Sequence, residues 1–132
     1  MRIVLIVLAL CFAMLALIQL DDPDALSWFF VYALGGVMTT ASLLRNLPRS
    51  VVRLSAVGTM VIMFFYFHGF FQQVPLIAAA GWRSEVGFEA MGLLFGAFAM
   101  CAVLAQFSCR LKATCATADR RAPAVFSAPH NF

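Results

Sequence analysis

Charged residues are so sparse along this chain that they act as punctuation between long apolar runs. Four such runs stand out, at 3–20, 25–44, 54–71 and 90–107. The first two and the fourth contain no charged residue, and the third contains one histidine, His68. At 1.5 Å per residue, runs of this length make roughly 27–30 Å of helix, which matches the hydrocarbon core of a bilayer. A helix satisfies every backbone N–H and C=O within the segment, so four membrane-spanning helices follow. We place them at about 3–20, 25–44, 52–71 and 87–107.

Composition agrees with the pattern. Of 132 residues, 64% are hydrophobic and 11% charged. A soluble domain carries about a quarter charged residues and needs them to cover its surface, so a freely diffusing globule is excluded. The same richness in apolar residues excludes an intrinsically disordered chain. Met1-Arg2 followed by an apolar run resembles the start of a secretory signal. The run reaches Leu20 with no small-x-small cleavage site before Asp21, and we expect it to stay as the first helix.

The charges also have a side. Of nine basic residues, Arg2, Arg45, Arg49, Arg53, Arg110, Lys112, Arg120 and Arg121 fall at one end of the helices, and Arg83 at the other. Of six acids, Asp21, Asp22, Asp24, Glu85 and Glu89 fall at the end opposite the basic cluster. The positive-inside rule then predicts both termini in the cytoplasm, most simply of a bacterial inner membrane. The net charge of +3 is accordingly a topological signal. No interleaving of arginine with aromatic residues points to nucleic acid.

The connections at 21–24 and 46–50 are short enough to force neighbouring helices antiparallel. The fold expected is an all-α integral membrane protein, an antiparallel four-helix bundle over residues 1–107 with both ends inside. The third connection, 72–86, is longer and apolar; we expect it to rest in the membrane interface with Trp82 at headgroup depth. Residues 108–132 form a cytoplasmic tail with Pro123 and Pro129, expected to be disordered until a partner binds.

Small residues form stripes at helical spacing. Gly92 and Gly96 lie with Glu89, Ala99, Ala102 and Gln106 on one face of the fourth helix, and Gly35 lies with Trp28, Tyr32, Thr39 and Ser42 on the second. Such stripes permit close helix approach, and we expect them to face one another inside one chain rather than to form a dimer seam. The fourteen Phe should then point mostly outward, to lipid or to a partner.

The outer end collects the polar chemistry. In Gln19-Leu20-Asp21-Asp22-Pro23-Asp24, Asp22 fits a helix N-cap, Pro23 the first helical position and Asp24 a first-turn acid. Three carboxylates so close could alternatively hold a hard cation such as Ca²⁺, although the spacing is not that of an EF-hand. His68 falls at the same depth. With Gln19, Asp21, Asp22, Asp24, Glu85 and Glu89 it makes a candidate outer polar cluster that could bind a divalent metal or relay protons. His68, Asp22 and Glu89 are the metal candidates. The bland alternative is an interfacial histidine bonded to a nearby carbonyl or carboxylate. A haem or pigment ligand is a third option, because it needs one imidazole only. The sequence itself names no cofactor.

The motif Gln-x-Asp-Asp-Pro-Asp at Gln19–Asp24, followed by Trp28 and Tyr32, resembles the transmembrane protein 220 family. A second stretch, Glu85-Val86-Gly87-Phe88-Glu89-Ala90-Met91-Gly92-Leu93-Leu94, is similar to that family's Glu-x-x-Arg-Glu-x-x-Gly-Leu, with Phe88 in place of the Arg. The resemblance implies a four-helix membrane protein. It implies no reaction.

Cys11 and Cys101 lie within helices, and Cys109 and Cys115 have neither zinc nor redox spacing. No nucleophile elbow, phosphate loop or zinc-protease helix is present. The expectation is therefore a non-enzyme. Its best reading is an accessory or assembly subunit working with other membrane proteins in the bilayer. The alternatives are a carrier of ions, protons or small solutes using the outer cluster, and a cofactor- or metal-binding protein using His68.

Overall fold

The computed structural model describes residues 2–21, 25–44 and 46–121, with side chains for all of these except residue 25 and residues 114–121. Expectations that fall on Asp22, Pro23, Asp24 and the tail from 122 lie outside the described residues. The elements are α1 (Arg2–Ile18), a short 3₁₀ turn at Gln19–Asp21, α2 (Ala25–Leu43), α3 (Arg49–Ala80) and α4 (Glu85–Arg121). No strand occurs among the described residues.

All four helices are long and apolar enough to cross a membrane. Their outward faces carry large apolar side chains along their length, among them Leu10, Leu17, Phe30, Phe64 and Phe98, each more than half exposed. In water such a surface would drive association; in lipid it is the matched solvent. The chain is an integral membrane protein.

Two helix ends differ from the expectation. α3 does not stop near residue 71 but continues through Pro75 to Ala80. Pro75 removes a single N–H bond, while the Leu, Ile and three Ala after it favour helix. The helix ends only at Gly81, whose φ of 87° suits glycine and whose N–H donates to the Ile77 carbonyl at 2.7 Å. The apolar interfacial loop expected at 72–86 therefore shrinks to a tight turn of Gly81, Trp82, Arg83 and Ser84. Ser84 starts α4, its Oγ donating to the Gly81 carbonyl and accepting from the Gly87 N–H.

α4 likewise outruns its apolar run and is helical to Arg121. No Gly or Pro follows Gly96 until Pro123, and Ala113, Ala116 and Ala118 support the helix. Residues 108–121, expected in the tail, are thus helical. With 32 and 37 residues, α3 and α4 measure roughly 48 and 55 Å, well beyond a ~30 Å hydrocarbon core.

α1 packs chiefly on α2 and α3 on α4, while α2 joins the two pairs through α4 and α3. α4 is the most enclosed helix, contributing Ala90, Leu93, Ala97, Met100, Val103 and Phe107 to the core. Phe12 of α1 reaches the centre, with its ring 6.4 Å from that of Tyr66 on α3 and 5.9 Å from that of Phe95 on α4.

Candidate functional site

A hydroxyl inside a membrane helix must find an acceptor, because lipid offers none. Here the hydroxyls turn to backbone carbonyls. Thr39 donates to Gly35 at 2.8 Å, Ser42 to Thr39 at 2.6 Å and Thr59 to Ser55 at 2.7 Å, each within its own helix. Tyr66 is the exception that crosses between helices: its phenol donates to the Val31 carbonyl of α2 at 2.6 Å. Tyr66 and its neighbour Tyr32 are both essentially buried.

The two tyrosines explain the glycines. A Cβ placed on Gly35 would sit 2.6 Å from the Tyr66 hydroxyl and 2.7 Å from the Phe12 ring. A Cβ on Gly92 would overlap the Tyr32 hydroxyl, and one on Gly96 would meet the Tyr66 ring at 3.0 Å. The stripes of α2 and α4 meet where Tyr32 packs on Gly92, yet glycine does not oppose glycine: Gly35, Gly92 and Gly96 are each a notch that receives an aromatic ring from a neighbouring helix. The reason is contact area. Between helices in lipid, association rests on van der Waals packing, and a ring set into a glycine notch makes more of it than two glycines opposed.

Polar chemistry begins one turn beyond this centre. Glu89 lies three residues before Gly92 on α4 and is half-buried. Gln73 of α3, also half-buried, donates from Nε2 to Glu89 Oε2 at 3.3 Å. Gln73 Oε1 is enclosed and has no hydrogen-bond partner among the described residues. Gln73 is in phase with Tyr66 and Gly69, seven and four residues earlier. A helix drawn to residue 80 would have placed it on the inner face; one stopped at residue 71 hid it.

The other described residues of the expected outer cluster, Gln19, Asp21, His68 and Glu85, do not join this pair, and Asp22 and Asp24 lie outside the described residues. His68 is exposed, and its Nε2 lies 3.0 Å from the Gln72 side chain on the same helix. Five residues separate His68 from Gln73, which turns it ~140° away around α3. Glu85 and Asp21 are exposed and Gln19 is half-buried in the 3₁₀ turn. Among the described residues no three His, Cys, Asp or Glu side chains stand close enough to hold a metal ion. Of the metal candidates, His68 and Glu89 stand apart, and Asp22 lies outside the described residues. What the geometry does assemble is a filled tyrosine–glycine centre with a Gln73–Glu89 pair above it.

The model of the family described as transmembrane family 220, helix, matches residues 11–105. The chain belongs to transmembrane family 220. The matched span contains the motifs at 19–28 and 85–94, both tyrosines with their glycine notches, and Gln73. In this member of the family, Phe88, at the position of the motif's Arg, is exposed, so the substitution leaves the inner face of α4 untouched. No curated protein and no solved structure gives a match.

Proposed function

We propose that this family 220 protein is a non-catalytic accessory or assembly subunit of a larger membrane complex. It is built as an antiparallel bundle in a bacterial inner membrane with both termini in the cytoplasm. The observation that carries the reading is the filled centre, where Tyr32, Tyr66 and Phe12 occupy the space between the helices down to the glycine backbones. With the interior hydroxyls of Thr39, Ser42, Thr59 and Tyr66 bonded to carbonyls, the surface that supports this reading is the outside: an aromatic surface along the helices and the projecting ends of α3 and α4. Two side-chain contacts support the antiparallel arrangement of α3 and α4, Gln73 with Glu89 and Met63 with Cys101, since the α3 number falls as the α4 number rises. Purification of the full chain from its own membrane in mild detergent, followed by mass spectrometry, tests the role. A stoichiometric membrane partner is expected. Recovery as a lone monomer overturns the reading.

One observation favours a second reading, a carrier of ions or protons. The half-buried Glu89 and the unpartnered Gln73 Oε1 form a polar pair between α3 and α4 that a translocated cation could use. Ion-dependent flux in reconstituted vesicles that disappears in Glu89→Gln would establish it. The third reading, a cofactor or metal held by His68, requires a bound metal or absorbing group that His68→Ala loses.

A further inference from the structure

At the end of the molecule opposite the Gln73–Glu89 pair, a cavity of about 410 Å³ opens where all four helices meet. Arg2 from α1, Arg49 from α3 and Arg110 from α4 line it together, with Gln106 beside them. None of the described lining residues is acidic. The Arg110 guanidinium is fixed in place, because it donates to the Leu44 and Ser42 carbonyls at the end of α2. Arg49 opens α3, and the first N–H groups of a helix carry the positive end of its dipole. Leu5, Leu47, Val52 and Leu111 form the apolar walls.

Arginines from three helices line this one cavity, so an anion that enters it meets positive charge from each of them. Guanidinium matches a phosphate in shape, offering paired N–H donors to two of its oxygens. The walls add a second demand, since a purely aqueous anion has no use for four apolar side chains at the level where headgroup passes into acyl chain. We propose that this cavity binds a phosphate group, and that an anionic phospholipid seated between the helix ends supplies it.

The test uses purified full-length protein in a neutral detergent. It is titrated separately with short-chain phosphatidylglycerol, with inorganic phosphate, and with short-chain phosphatidylcholine, whose phosphate is balanced by its own choline. Binding is read by native mass spectrometry and by the shift in thermal midpoint. Phosphatidylglycerol should bind and stabilise, phosphatidylcholine should do neither, and Arg2→Gln or Arg49→Gln should each weaken phosphatidylglycerol binding about fivefold. Arg83→Gln at the opposite end should leave it unchanged. Arg49→Lys keeps the charge, should retain most of the binding, and serves if the Gln variant fails to fold. An arginine-dependent response to inorganic phosphate that the lipid does not exceed would support the site and assign it to soluble phosphate. Equal loss in Arg83→Gln, or a wild-type protein that treats both lipids alike, overturns the proposal.

Discussion

Tyr66 has two obligations inside the membrane, a ring to pack and a hydroxyl to satisfy. It meets the first against Gly96 and Phe12 and the second on the Val31 carbonyl. Removing only the hydroxyl, as in Tyr66→Phe, should cost about 0.6 kcal/mol, the average for hydrogen bonds between membrane helices, and no more than about 1.7 kcal/mol. Chemical unfolding of the protein in mixed micelles measures it. The glycines give a sharper contrast. Gly92→Ala drives a methyl into the Tyr32 hydroxyl and should destabilise by roughly 1–3 kcal/mol, as overpacking does. Gly58→Ala meets only the Met38 methyl at 3.4 Å and should be neutral or gain up to about 1 kcal/mol of helix propensity. Equal effects in the two variants would dismiss the notch. The sequence shows that Gly35, Gly92 and Gly96 sit on inner faces, because period 3.6 is visible in residue types. It does not show what fills them, since a small stripe accepts a second glycine or a ring from any neighbouring helix.

Helix positions follow from hydropathy, but helix ends do not. α1 and α2 end close to where their apolar runs end: α1 gives way to the 3₁₀ turn at Gln19–Asp21, and α2 stops at Leu43, shortly before Pro48. α3 and α4 outlast their runs because a helix needs only compatible backbone, whereas a run needs apolar side chains. Gln72, Gln73 and Arg110 stop the run and leave the helix intact. That difference hid the Gln73–Glu89 pair and the placement of Arg110 on the end of α2. Arg110 completes α2 by donating to two carbonyls that the helix leaves open. Arg110→Gln should therefore fray that end, with a loss of about 1 kcal/mol for a half-exposed site. Faster amide hydrogen exchange near Ser42, Leu43 and Leu44 would register it, and unchanged exchange there would mean that the carbonyls need no cap.

Across the whole molecule, the separation of basic and acidic residues is the feature with the widest consequence. It underlies the proposed orientation and concentrates positive charge around the cavity of Arg2, Arg49 and Arg110. The orientation can be read by thiol labelling of intact spheroplasts. In a chain lacking Cys11, Cys101 and Cys115, the exposed Cys109 should react with a membrane-impermeant maleimide only after permeabilisation. A cysteine placed by Arg83→Cys should react at once. The reverse pattern would invert the topology.

The sequence by itself determined that the chain lives in a membrane, that it crosses with four helices and that charge divides between its two ends. These are one-dimensional properties: length against bilayer thickness, and the position of each charge along the chain. It also carried the motifs by which the chain belongs to transmembrane family 220. The tertiary structure alone decided which side chains share a site. It parted His68 from Glu89, joined Glu89 to Gln73, set Tyr32 and Tyr66 into glycine notches and drew three arginines around one cavity. Such pairings depend on the rotation of each helix about its axis and on its depth beside its neighbours. Both are set by packing between segments far apart in the chain, and no single segment records them.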